Sequence, residues 1–287
     1  MKTKISVMIL CFLMAAPAFG ETSVWVVKTD STTMYIGGTI HILREADKPF
    51  PPEFDRAYEA SETIVLETDF EKLAAPEFQQ AIMANAVYAD GRTIDSVLSD
   101  TAYGLLEKYC TANGLPLVQM NQYKPSLIIL TLVGMELQKM GVNQQGVDAT
   151  YYTKATADKK TTVGLETVEE QLEMITTMGE GNESAFVIYS IDDLENIEEN
   201  FDKIINAWKT GDVAVMEEML VGEFEKRFPN LYKSLLVDRN NDWMAELEEY
   251  LKSPGTEFVL VGTFHLIGED GVIAQLRDLG YEVEKMK

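Results

Sequence analysis

One short pattern occurs near both ends of this chain, and it limits the possible folds more than any other feature. Tyr35-Ile36-Gly37-Gly38-Thr39-Ile40-His41-Ile42 lines up with Leu260-Val261-Gly262-Thr263-Phe264-His265-Leu266. Each copy is an apolar strand, then Gly-Thr-x-His, then an apolar residue. Each is followed by a helix and another strand: helix 52–60 and strand 63–67 in the first, helix 270–279 and strand 281–285 in the second. These read as two βαβ-type repeats. In such a unit the strands run parallel and their carboxyl ends share one edge of the sheet, where ligands of open α/β folds bind. Val24 to Lys28 and Thr33 to Gly37 flank a turn at Asp30-Ser31 and predict a hairpin.

The span between the repeats, about 75–252, is mainly helical in pattern, with a strand-like interruption at Thr161 to Val163. The fold class expected is α/β: a small sheet built from the two repeats, carrying a large helical insertion, in one domain over 21–287. Leu127 to Met135 is apolar but too short to cross a bilayer and reads as a core helix. Within 190–209, Leu194, Ile197, Phe201, Ile204 and Trp208 fall on one helical stripe, opposite a face rich in Asp and Glu that reads as solvated surface. Gly179-Glu180-Gly181-Asn182, just before it, is the candidate hinge.

The whole chain has only two histidines, and both sit in the repeated motif. Two neutral imidazoles and a carboxylate are a common ligand set for a catalytic Zn²⁺, which leaves a position for water. Glu67 is the candidate carboxylate. It follows Ile64-Val65-Leu66 and is the first charge where a buried strand emerges, although Glu62 and Asp69 are close by. It reads either as a ligand or as a general base. His and carboxylate donors suit Zn²⁺ and also admit Mn²⁺ or Co²⁺.

Residues 1–20 have the form of a secretory signal: Lys2 and Lys4, an apolar run from Ile5 to Ala16, and small residues at Ala18 and Gly20 before Glu21. The protein is therefore expected to be exported, periplasmic or secreted, with no membrane span after cleavage. Cleavage removes Cys11 and leaves Cys110 alone on an apolar helical face, where it reads as a buried thiol. A formal charge of −23 argues against nucleic acid as a partner, because no excess of Lys and Arg is available to meet phosphates.

Gly38-Thr39-Ile40-His41, Val65-Leu66-Glu67-x-Asp69 and Val261-Gly262-Thr263-Phe264-His265-Leu266-x-Gly268-Glu269-Asp270-Gly271, with Gly280-Tyr281-x-Val283, together resemble the TraB/GumN family, which includes the Tiki proteases. Gly146-Val147-Asp148, Gly164-Leu165-Glu166-Thr167 and Asp238-Arg239-Asn240 fit the same resemblance, which covers essentially the whole chain after residue 20. It implies a divalent-metal-dependent peptidase site of His41, His265 and Glu67, with Arg239 and Asn240 as accessory groups and a peptide or protein as substrate. Arg239 could bind a substrate carboxylate, stabilise an oxyanion or form a structural ion pair. Asn240 reads as a cap at the start of helix 243–251, and Asp148 and Glu166 read either as site residues or as caps. A non-catalytic periplasmic protein that captures a peptide, a metal or haem is the alternative function.

Overall fold

The structure is a computed structural model and describes residues 22–220 and 224–287; the signal-like segment 1–20 lies outside them. Six strands form the main sheet: β1 (Val24–Lys28), β2 (Thr32–Thr39), β4 (Thr63–Thr68), β6 (Thr161–Glu166), β7 (Gly255–Gly262) and β8 (Val283–Lys285). Their order across the sheet is β6-β4-β7-β2-β1-β8. β1 and β2 form the expected hairpin, and β2, β7, β4 and β6 pair in parallel. β8 lies antiparallel to β1 and so runs in the same direction as β2 and β7. Two short strands, β3 (Ile42–Leu43) and β5 (Gln144–Gln145), pair with each other beside the main sheet.

Both repeats are present, but neither is a closed βαβ unit. The first crosses from β2 through helix Pro52–Ala60 to β4 and leaves a gap that β7 fills. The second crosses from β7 through helix Val272–Asp278 to β8, on the far side of β2 and β1. That helix has seven residues and starts two residues later than its sequence pattern indicates. The interleaving makes the two histidine-bearing strands neighbours, with Thr39 opposite Gly262. β6 extends the strand-like piece at Thr161 and joins the main sheet as its edge, so the helical insertion also supplies a strand.

β7 is central and covered on both faces, which is why Phe258-Val259-Leu260-Val261 reads as a continuous apolar run. All four are buried. Helix Pro52–Ala60 starts with proline at its first turn and buries Phe54, Ala57 and Tyr58, the spacing of a single helical face. Trp208 is fully buried; its indole N–H donates to Gly38 O at 2.6 Å, and its own carbonyl accepts from Ser23 Oγ at 2.7 Å. The sheet end next to the first Gly-Thr-x-His motif is thereby tied to the helical region.

A second apolar cluster joins helices Asp100–Ala112, Pro125–Lys139 and Glu183–Glu195 through Leu106, Ile128, Leu132, Val187 and Ile191. Cys110 is buried there, and burial pushes its thiol up to about 11, as expected of an inert cysteine. The helix expected over 190–209 is in fact two, Glu183–Glu195 and Ile197–Thr210, which meet at Asn196. The stripe continues across the break and serves both clusters, Leu194 in the helical one and Trp208 against the sheet. The candidate hinge is a tight turn between helices, with Gly179 and Gly181 at positive φ. Among the described residues no helix is long and apolar enough to cross a membrane.

Candidate functional site

Every sequence-predicted site residue lies at the carboxyl edge of the parallel strands. β2 ends at Thr39 and leads through Ile40 to His41; β7 ends at Gly262 and leads into a short turn, Thr263–His265. β4 and β6 are paired with Thr68 opposite Glu166, so Glu67 and Glu166 emerge at the same level. Arg239 and Asn240 come from helix Asp238–Lys252, which follows a π-helical turn at Lys233–Val237, a type of turn often found at functional sites.

The first imidazole is positioned by backbone pairing. Gly146 N–H donates to His41 O and Val147 N–H to Ile40 O, each at 3.0 Å. A Cβ on Gly146 would stand 2.1 Å from Ile40 O, so only glycine permits this approach. Helix Val147–Asp158 starts directly afterwards and sets Asp148 Oδ2 2.5 Å from His41 Nδ1. Asp148 is therefore a partner of His41 and not merely a helix-terminal acid, though its Oδ1 also accepts from Ala149 N–H. The His41 side chain is 59% exposed and stands at the mouth of the site. Loss of solvation acts to lower its pKa, but the Asp148 charge and hydrogen bond prevail and raise it to about 9.

The second imidazole is held differently. His265 is 5% exposed, and Nδ1 lies 2.6 Å from Asn240 Oδ1. The Asn240 amide donates to two carbonyls, His265 O at 3.3 Å and Asp270 O at 2.9 Å, which fixes its orientation. Arg239 Nη1, which can only donate, lies 2.9 Å from Nε2. The proton of His265 is therefore on Nδ1 and the lone pair on Nε2. Burial, with Arg239 and His41 adding to it, lowers its pKa to about 3, so the ring is neutral at ordinary pH. Asn240 is within the helix, which begins earlier than the sequence suggests, and its side chain orients His265 instead of capping.

Glu67 Oε1 accepts the Gly262 N–H at 2.6 Å, and Oε2 accepts from Arg239 Nη2 at 2.7 Å. Burial disfavours its charge, but the two histidines, Arg239 and the Gly262 amide outweigh that and hold it far below the usual carboxylate range. Glu166 pairs with the same guanidinium, from Nε at 2.9 Å and Nη2 at 2.6 Å; burial raises its pKa despite the pairing. It too is not a cap: Thr167 and Glu170 form the capping box of the following helix.

Two participants, Trp243 and Gln171, lie outside the residues that the sequence marks, and the motif glycine Gly262 has a further role. Trp243, one helical turn after Arg239, lies with its ring 4.9 Å from the guanidinium and 4.5 Å from the His265 ring. Gln171 donates to Glu166 at 2.5 Å. Gly262 matters for what it lacks: a Cβ there would stand 3.2 Å from Glu67 Oε1, 3.5 Å from His41 Nε2 and 3.6 Å from His265 Cδ2. Gly262 belongs to the repeated motif; of Trp243 and Gln171, only Trp243 has a sequence signal, its i,i+4 spacing from Arg239.

Among the described residues no three His, Cys, Asp or Glu side chains stand in metal-holding geometry. The Arg239 guanidinium takes up lone pairs of both His265 and Glu67. Beside it opens a cavity of about 310 Å³ lined by Glu166, Arg239 and Trp243 together with Leu165, Met174 and Leu235.

The His41–Asp148 pair is expected to make stability depend on pH. A pKa raised from 6.5 to about 9 gives stabilisation that is complete below pH ~6.5 and is lost as pH rises through about 9. Denaturant midpoints measured between those limits should fall more steeply for the wild type than for Asp148→Asn; parallel curves would show that the pair contributes nothing. The effect should be modest because the ring is largely exposed.

Comparison with curated proteins and with solved structures gives no match. A family model does match, over residues 23–285, and so takes in both Gly-Thr-x-His motifs and every residue placed here at the sheet edge. The chain belongs to the TraB/PrgY/gumN family.

Proposed function

We propose that this protein is an exported metal-dependent hydrolase acting on peptides, with the cation held by His41, His265 and Glu67. The observation that carries the reading is the way the two imidazoles are supported. Each presents Nδ1 to an acceptor, Asp148 or Asn240, which turns Nε2 toward the crevice, the arrangement usual for metal-binding histidines; a metal would displace the Nε2 proton of His41 and the Arg239 donor on His265. Glu67 approaches the same glycine-made gap at Gly262. The donor types suit a divalent cation, and holding one would require Arg239 to give up its bonds to both His265 Nε2 and Glu67 Oε2. A cation there would polarise a substrate carbonyl and acidify water.

The chain's own groups supply the rest. Asp148 and Asn240 keep the Nδ1 protons in place and so fix which nitrogen faces the crevice. Glu67 stays ionised and brings negative charge to the ligand set. Trp243 covers one side of His265 and Arg239 and keeps water from that flank. Arg239 presents donors at the boundary with the adjoining cavity, where they can meet negative charge developing on a carbonyl oxygen. The leader-like residues 1–20 support export, and the crevice at the strand ends supports a substrate that enters from outside the sheet. Hydrolysis of an unstructured polypeptide by the purified protein should stop on chelation and return with Zn²⁺, Mn²⁺ or Co²⁺. Undiminished hydrolysis in excess chelator would overturn the proposal.

A further inference from the structure

A guanidinium has five N–H donors, and Arg239 uses all of them. Nε and one Nη2 proton go to Glu166, and one Nη1 proton goes to Leu235 O at 3.1 Å. The remaining two go to His265 Nε2 and Glu67 Oε2. Three donors thus anchor the group outside the candidate ligand set, and two occupy the lone pairs that a metal would need. The side chain is 14% exposed and flanked by Trp243, and it also lines the cavity next to the site. A buried cation in that position balances two carboxylates, Glu67 and Glu166, which would otherwise face each other with little solvent.

We propose that Arg239 is a placeholder cation: it fills the ligand-facing positions of His265 and Glu67 and would yield them to a divalent metal while keeping its bonds to Glu166 and Leu235 O. This rests on the reading that His41, His265 and Glu67 hold a metal. Its consequence is that Arg239 sets the metal affinity by competition. Arg239 supplies the counter-charge of Glu67 and Glu166, and its withdrawal would open the site toward the cavity that it lines. The two donors released from His265 and Glu67 would then be available to a substrate oxygen in that cavity.

The test is calorimetric titration of purified, metal-stripped protein with Zn²⁺ and Mn²⁺, for the wild type, Arg239→Met, Arg239→Lys and His265→Ala. Removing a competitor should tighten binding, so Arg239→Met should bind at least about tenfold more tightly than the wild type, roughly 1.4 kcal/mol. Arg239→Lys, which keeps the charge without the fork, should fall between them. The metal-free Arg239→Met protein should melt at a lower temperature and recover when metal is added; a residue with only a packing role would not show tighter metal binding. If Arg239→Met does not fold, intermediate affinity in Arg239→Lys still supports the competition. Unchanged or weaker binding in the Arg239 variants, with binding still lost in His265→Ala, would overturn the placeholder role and leave the metal site standing. Binding indifferent to His265 in every background would overturn the metal site itself, and the placeholder role with it.

Discussion

Alanine at position 262 is expected to weaken metal binding by at least about tenfold and hydrolysis by about a hundredfold, while the protein remains folded. The backbone there has φ −49° and ψ 135°, which any residue adopts, so the substitution imposes no conformational strain. The new Cβ would lie 3.2 Å from Glu67 Oε1 and 3.5 Å from His41 Nε2, filling the gap around which the three side chains gather. Stability should stay within about 1 kcal/mol of wild type, because the stiffer backbone of alanine offsets a small steric adjustment. Thermal melting, metal titration and hydrolysis of Gly262→Ala against wild type separate the two effects. A variant that melts normally and also binds metal normally would show that the gap beside Gly262 is not where the cation sits.

His265→Ala should have the larger catalytic effect, about a thousandfold, since losing a proposed metal ligand would remove several kcal/mol of charge stabilisation. It also removes the partner of Asn240 Oδ1 and one of the two partners of Arg239 Nη1, whose other proton stays on Leu235 O, at a cost of about 1–3 kcal/mol for each unmade bond. Loss of activity alone would therefore be ambiguous. His265→Gln resolves it, because an amide both donates and accepts and can pair with Asn240 and Arg239. The expected result is melting closer to wild type in His265→Gln than in His265→Ala, with hydrolysis equally low in both. Near-wild-type hydrolysis in the folded glutamine variant would remove His265 from the chemistry.

Much of this site was legible because buried strands that end in polar residues leave a sharp pattern. Ile64-Val65-Leu66 before Glu67 and Phe258 to Val261 before Gly262 mark where two covered strands emerge, and the repeated Gly-Thr-x-His marks the same edge twice. Strand adjacency was not legible. A strand–helix–strand pattern says that two strands run parallel but not whether a third lies between them, so the place of β7 between β2 and β4 appears only in the fold. The break at Asn196 was hidden because the apolar stripe keeps its 3 and 4 spacing across it. Asn240 resembled a cap because a polar residue near a helix start normally is one, and nothing local signals that its side chain serves His265. The central place of Arg239 was out of reach for a similar reason: Glu67 and Glu166 are far from it in sequence, and only the sheet register brings them together.

Whether His41, His265 and Glu67 hold a divalent metal can be read from the metal content of the protein. Protein purified without chelator, or stripped and reloaded with Zn²⁺, Mn²⁺ or Co²⁺ and dialysed, can be assayed by elemental analysis for wild type and His265→Gln side by side. The expected result is close to one metal per chain in the wild type and only trace metal in the folded variant. Equal metal content in the two proteins, or none in the wild type after loading, would contradict it.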